Sequence, residues 1–474
     1  MKALPVRERS TVSTTKFGKS ADVKLKGTVM TMRKTLRSVA AVVVFSFLAA
    51  SAHADDVTDW NLAMLRASLV AGSSPLAMGR ISAIVQASVF DAVNGIERRY
   101  TPIHVPATGP AGGSPRAAAV QAAYVVLVKL YPTQIATFDA KRTISFAAIA
   151  ADESSAAIAS GIAWGENVAN QIWAWRLTDG IGDTNPPWPG NTNIGQWRPT
   201  PNAPYPGTSP TNGVGYPQFV FMTPWIIAAP SQFRPGPPPL LPSAQYARDY
   251  NETKSMGSLS SATRTSNQTA GAFFWNLGTA SYFWNRVADS LIERPGVEDG
   301  DRHERDADND GPREHDRRSS LLNSARILGA LDVAMADAGI GCWDAKYTYN
   351  YWRPITAIRE LADDGNPATT SDVSWTPLFA TPGFPEYPSG HSCVSGAAAT
   401  ILAHEFGERT HFTIDSDVLL GVTRSFRSFS AALDDVQDAR IFAGIHFRTA
   451  TAVGQALGAA VGRLVLEHAF IRMH

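Results

Sequence analysis

The stretch Glu386-Tyr387-Pro388-Ser389-Gly390-His391-Ser392, followed by the small-residue run from Cys393 to Thr400, sets the reading of the whole chain. It has the form of a turn that opens a helix. Pro388 suits a first helical turn, where no N–H is needed, and Gly390 lets the backbone approach a ligand closely. A helix N-terminus presents free N–H groups and partial positive charge, so it binds phosphate-like oxyanions. His391, one residue inside that cradle, is placed to give protons to a bound group or take them from it. The same residues also suit a plain helix start with an exposed histidine.

Two further segments decide between these readings. In Lys346-Tyr-Thr-Tyr-Asn-Tyr-Trp352-Arg353-Pro354 the two cations are seven residues apart, about two helical turns, which predicts that both face one side. Pro354 is expected to end or kink that helix. Trp343, Tyr347, Tyr349, Tyr351 and Trp352 surround the cations, a semi-buried wall in which each cation needs an anion. The second segment, Ala439-Arg440-Ile-Phe-Ala-Gly444-Ile-His446, adds a guanidinium and an imidazole. Six residues along one helix would separate Arg440 from His446, so Gly444 is the expected break that lets both point into one site.

In this order the three segments resemble the superfamily of vanadium-dependent haloperoxidases and type 2 phosphatidic-acid phosphatases, which includes the bacterial class A acid phosphatases. Its pattern is Lys-x6-Arg-Pro, then Pro-Ser-Gly-His, then Ser-Arg-x5-His-x3-Asp. The chain keeps the first two; in the third, Ala439 stands for Ser and Ala450 for Asp, while Arg440 and His446 remain. The stretch from Val57 to about Ile103 also resembles the leading helices of bacterial haloperoxidase-like proteins. The resemblance implies a mainly α fold of two four-helix bundles with the anion site in the C-terminal one.

The sequence pattern agrees with a mainly helical chain. Helical spacing runs through 79–95, 115–131, 134–151, 153–175, 263–292, 320–352, 391–407, 416–433 and 449–470. Residues 179–243, rich in Pro, Gly and Trp, exclude regular helix and read as a long irregular connection. Trp188, Trp197 and Trp225 are expected to pack it on the bundles and to shape the site entrance. The division is therefore 55–178, a helical N-terminal part; 179–243, the connection; and 244–474, the C-terminal bundle with a charged insertion at 293–318.

Residues 1–54 read as a leader. Arg33, Lys34 and Arg37 precede an apolar run from Val39 to Ala50, and Ser51-Ala52-His53-Ala54 fits a cleavage site. The run is shorter than the roughly 20 residues a span needs. Translation starting at Met30 or Met32 would shorten the leader. Export to the periplasm or the cell exterior, with cleavage near Ala54, is the expectation. The chain is formally neutral, but the leader holds 10 of the 42 basic and 2 of the 42 acidic residues. The remaining 32 against 40 give the mature part a net charge of −8, which argues against nucleic acid or an anionic membrane as partner. No other stretch has 18 uncharged apolar residues, so no span is expected in the mature chain.

Three lesser features complete the reading. Asp306-Ala-Asp308-Asn-Asp310-Gly311 matches the first half of a calcium loop, but Arg317 occupies the twelfth position, so Ca2+ at 306–317 is not expected. His404-Glu405-Phe-Gly-Glu408 lacks the second histidine of a zinc helix. Cys342 and Cys393 each adjoin a site motif, and either a disulfide or two buried thiols fits an exported protein.

The resemblance implies roles. Lys346, Arg353, Ser389, Gly390 and Arg440 would bind the anion's oxygens, with His446 axial and His391 the acid–base; His391, Lys346 and His446 would be the catalytic groups. In a haloperoxidase the anion is one vanadate per chain, with hydrogen peroxide, halide and a small organic acceptor as reactants. Trp343 and Phe384 match aromatic residues beside the halide in fungal chloroperoxidases. In a phosphatase the anion is substrate, and His446 the nucleophile. The missing acid at 450 tells against a phosphohistidine, whose histidine needs orienting. Asn276 is the candidate for an outer group near His391. A non-catalytic oxyanion binder is the third class.

Overall fold

Caps fix where the helices begin. The computed structural model describes residues 55–182, 188–200, 216–277, 279–294, 312–360, 363–416 and 419–473. The leader, the calcium-like Asp306–Gly311 and most of the charged insertion lie outside the described residues. Asp55 caps α1 (Asp56–Ala71) by accepting from the N–H groups of Val57 and Thr58. Ser74 and Ser114 cap α2 (Pro75–Glu97) and α3 (Pro115–Leu130), each with proline at the first helical position. There follow α4 (Ile135–Ile149) and α5 (Ser155–Arg176). The described part of the connection holds one short 3-10 turn, Pro217–Phe221.

Past the connection come α6 (Ala244–Met256), α7 (Ser266–Leu277), α8 (Ala280–Ile292), α9 (Pro312–Tyr349), α10 (Pro354–Arg359) and α11 (Gly390–Phe406). A two-stranded antiparallel hairpin, β1 (Phe412–Asp415) and β2 (Thr423–Phe426), pairs Phe412 with Phe426. It precedes α12 (Phe429–Phe442) and α13 (Arg448–His468). The fold is mainly α, as the helical spacing predicts.

Three boundaries differ from the sequence reading. The helix expected over 263–292 is two helices, because Thr279 caps α8 afresh by accepting from Tyr282 N–H. The helix expected over 416–433 is instead the second strand of the hairpin, Thr423–Phe426, and the start of α12, which Ser428 caps. The expected helix through 352 ends at Tyr349, where Asn350 turns the chain at φ +45°.

The helix α9 packs against both α2 and α11, and its residues from Leu321 on are largely buried in the core. Small residues explain how α11 and α13 approach. A Cβ at Gly458 would lie 1.9 Å from Cys393 O, and one at Gly396 would lie 2.4 Å from Gln455 O. That contact is what the run Cys393–Thr400 makes possible. By length and apolar composition α2 and α13 could each cross a membrane. Here α2 is buried along most of its length against α3, α5 and α9.

Candidate functional site

The three sequence segments meet. At the end of α9, Lys346 is fully buried, and its Nζ donates to the carbonyls of Pro385 (3.0 Å), Glu386 (2.9 Å) and Pro388. Arg353 does not share the helix of Lys346. It follows the turn at Asn350 and occupies the N-cap position of α10, which begins with Pro354. Convergence therefore comes from a turn and not from two turns of one helix, and Pro354 starts a helix where an end was expected. Arg353 Nε donates to Phe384 O (2.9 Å); its Nη1 donates to Ile445 O (2.8 Å) and faces His446 Nε2 at 3.1 Å.

The helix after the Pro388 turn starts two residues later than expected, at Gly390. Ser389, in extended conformation, is the N-cap of α11, and Pro388 lies before it after a cis peptide bond. Among the described residues the fully buried Ser389 Oγ has no hydrogen-bond partner. Ser389 makes no side-chain cap on α11, and the first N–H groups of a helix have no intrahelical acceptor. A Cβ on Gly390 would meet the Trp343 ring at 3.0 Å, so glycine is what lets this turn and that ring come together. His391 is partly exposed.

Gly444 makes the expected break. It follows α12 at φ +75°, and a Cβ there would lie 2.4 Å from Gly257 O. Arg440, in the last turn of α12, donates from Nη1 to Asn276 Oδ1 (2.9 Å). His446 follows the break, its carbonyl held by Thr253 Oγ1 of α6 at 3.1 Å. Asn276 is thus placed on Arg440.

A carboxylate missed by the sequence reading completes the cluster. Glu386 Oε1 accepts from Phe447 N–H (2.9 Å) and lies 2.8 Å from His446 Nδ1. Arg353 Nη1 can only donate, so His446 Nε2 is the acceptor nitrogen and the ring proton sits on Nδ1, toward Glu386. The acid absent at Ala450 is therefore supplied from position 386, and its loss does not leave His446 without a carboxylate. The signal was present as a lone charge in the apolar run Phe384-Pro-Glu386-Tyr-Pro, because a buried charge demands a partner.

Burial and charge crowding set the electrostatics. Burial pushes Lys346 well below the usual amine range, with the Arg353 and Arg440 charges adding to it and Glu386 opposing. His446 is driven well down by burial, then by Arg353, Lys346, Arg440 and His391. Burial raises Glu386 to about 7, against the pull of Arg353, the Phe447 N–H and Lys346. Three buried cations face one carboxylate, and a multiply charged anion would relieve their mutual repulsion.

Trp343 and Phe384 form one wall, with ring centroids 5.0 Å apart. Lys346 Nζ lies 5.5 Å and 5.2 Å from these rings, and the Arg353 guanidinium 4.8 Å from Phe384. Cys342 and Cys393 are joined as a disulfide that ties α9 to α11 beside the site. The connection is anchored here too. Trp188 stacks edge-on against Tyr347 and donates to Asn350, Trp197 is fully buried, and Trp225 N–H donates to buried Asp337. Tyr349 and Tyr387 donate to the carbonyls of Pro235 and Gly236. Away from the site, Glu405 is paired with Arg326.

Comparison with known proteins fits this geometry. Residues 326–473 match the VCPO second helical-bundle domain family. The chain is 29% identical over 233 residues to the vanadium chloroperoxidase of Curvularia inaequalis, covering 41% of this chain and 35% of that protein. The match thus spans about a third of that curated relative's length. Both likenesses are to the vanadium haloperoxidase superfamily, and the family match lies in the C-terminal part of the chain. Among solved structures, the first bacterial vanadium-dependent iodoperoxidase superposes with a TM-score of 0.68 at 25% identity, over 88% of this chain and 97% of that one. A bacterial vanadium-dependent chloroperoxidase in its apo form gives 0.61 at 17%, over 83% of this chain and 92% of that one, a likeness of fold.

Proposed function

We propose that the chain is a vanadate-dependent haloperoxidase, oxidising halide with hydrogen peroxide to hypohalous acid. The observation that carries this reading is the Trp343–Phe384 wall standing directly over Lys346 and Arg353. A dry aromatic surface beside the cations favours a weakly hydrated halide over water. Vanadate, when bound, supplies the Lewis acidity that activates peroxide. The donor set suits it: an unpartnered buried Ser389 Oγ, a helix N-terminus and three buried cations. Lys346, Arg353 and Arg440 would hold its oxygens together with Ser389 and the Gly390 N–H, and His446 Nε2 would ligate it once its lone pair is released from Arg353 Nη1. Lys346 spends its three donors on the carbonyls of Pro385, Glu386 and Pro388, so it would act on the anion through its charge or by releasing one carbonyl. His391, in the first turn of α11, would give protons to the bound group or take them from it. The disulfide supports action after export, in an oxidising compartment.

One observation favours a second reading. Glu386 on His446 Nδ1 gives a nucleophilic histidine the orienting carboxylate it requires, so an exported acid phosphatase working through His446 is the alternative. A paired assay on the chain from Asp55 separates them: dye bromination and chlorination with peroxide in one arm, aryl phosphate hydrolysis in the other, each with and without orthovanadate. Vanadate-dependent halogenation that vanishes in His446→Ala is expected. Phosphate release that vanadate inhibits would overturn the proposal, and inactivity in both arms would favour a non-catalytic anion binder.

A further inference from the structure

The carboxylate that faces His446 lies 60 residues away in sequence, in the turn that leads into α11. Position 450, where the superfamily pattern places its acid, is the buried Ala450, whose carbonyl instead accepts from Ser389 N–H at 2.9 Å. We propose that Glu386 has taken over as the positioning residue of His446, holding Nδ1 so that the Nε2 lone pair faces the anion.

Three observations carry this. Glu386 Oε1 is shared between His446 Nδ1 and the neighbouring Phe447 N–H, so the backbone beside His446 fixes the carboxylate as well as the ring. Glu386 is fully buried and cannot swing out to water. Its own main chain is held by two of the cations: Lys346 donates to the carbonyls of Pro385, Glu386 and Pro388, and Arg353 Nε to Phe384 O. The acid therefore moves with the turn that bears Ser389 and Gly390. In this chain Lys346, Arg353, the turn and the histidine form one hydrogen-bonded unit, where an acid at 450 would belong to the helix after His446. A carboxylate on the far nitrogen of a ligating imidazole sets its tautomer and raises its basicity. The inference rests on His446 facing the anion, and it holds for halide oxidation and phosphate release alike, since both need an unprotonated Nε2.

The test is 15N NMR of the histidines in ligand-free protein, together with orthovanadate affinity by calorimetry. The wild type is expected to show His446 protonated at Nδ1 and bare at Nε2. Glu386→Ala is expected to populate the other tautomer and to bind orthovanadate about 10- to 100-fold more weakly. Adding Ala450→Asp to it is expected to restore the Nδ1 proton and part of the affinity. If Glu386→Ala does not fold, Glu386→Gln, which keeps the acceptor for Phe447, is read instead, and a loss of several-fold is expected. Unchanged affinity in either variant overturns the proposal. So does a weakened affinity with the tautomer of Glu386→Ala unaltered, which would leave Glu386 a packing role only. Because the spectrum is taken without turnover, absence of halogenation would leave this result standing.

Discussion

Gly444→Ala tests how the fold builds the site. Gly444 lies two residues beyond α12 at φ +75°, between Arg440 and His446. A left-handed residue with a Cβ costs roughly 1–2 kcal/mol. The added Cβ would also stand 2.4 Å from Gly257 O and 2.8 Å from Pro377 Cβ. One neighbour is backbone and the other a ring, so neither yields without moving its segment, and overpacking of that kind costs about 1–3 kcal/mol. The sum is roughly 2–5 kcal/mol. Gly72, at φ +62° past the end of α1, has nothing within 4 Å of its would-be Cβ. Gly72→Ala therefore isolates the backbone term, about 1–2 kcal/mol. Urea unfolding at fixed pH, disulfide intact, measures both, and calorimetric titration measures orthovanadate affinity. Gly444→Ala is expected to lose clearly more stability than Gly72→Ala and to bind orthovanadate more weakly, because the strain is relieved by displacing Arg440 or His446. Equal midpoints for the two variants, with affinity unchanged, would refute the reasoning.

Three further outcomes follow from the same contacts. Phe384→Ala removes an aromatic face from Lys346 and Arg353 but keeps the carbonyl that holds Arg353 Nε. A cation–π loss of roughly 1–2 kcal/mol would lower kcat/KM for halide about 5- to 30-fold with little change in orthovanadate affinity. Cys342 and Cys393 are 51 residues apart, so reducing their bond should cost about 4 kcal/mol in the chain-entropy account, and unreduced denatured protein should show no reactive thiol. Burial raises Asp332 to about 7 while its Oδ1 accepts from Asn285. A carboxyl raised on folding gives stability that is full below about pH 4 and lost as pH rises through about 7. Asp332→Asn should therefore gain on the wild type between pH 4 and pH 8, by up to about 4 kcal/mol in paired urea titrations.

The parts legible in sequence were those with local signals. Lys346, Arg353, Ser389, Gly390, Arg440 and His446 carry motif spacing, and Gly444 announces a break by its residue type. What spacing could not give was the route of convergence. Seven residues suggested one helix face, whereas Asn350 ends the helix and turns the chain so that Arg353 arrives from an N-cap. Glu386 was invisible as a partner of His446 because the pair is closed only by tertiary packing. The hairpin was misread because four-residue strands give too short an alternation to outweigh the helical spacing around them. The anchoring of Trp188 on Asn350 spans 162 residues and leaves no local trace.

The most direct measurement is the vanadium content of the chain from Asp55, loaded with orthovanadate, desalted and analysed by element, beside His446→Ala and Ser389→Ala. About one vanadium per chain is expected in the wild type, little in His446→Ala, and a reduced content in Ser389→Ala. Vanadium retained in full by His446→Ala, or absent from the wild type, would contradict it.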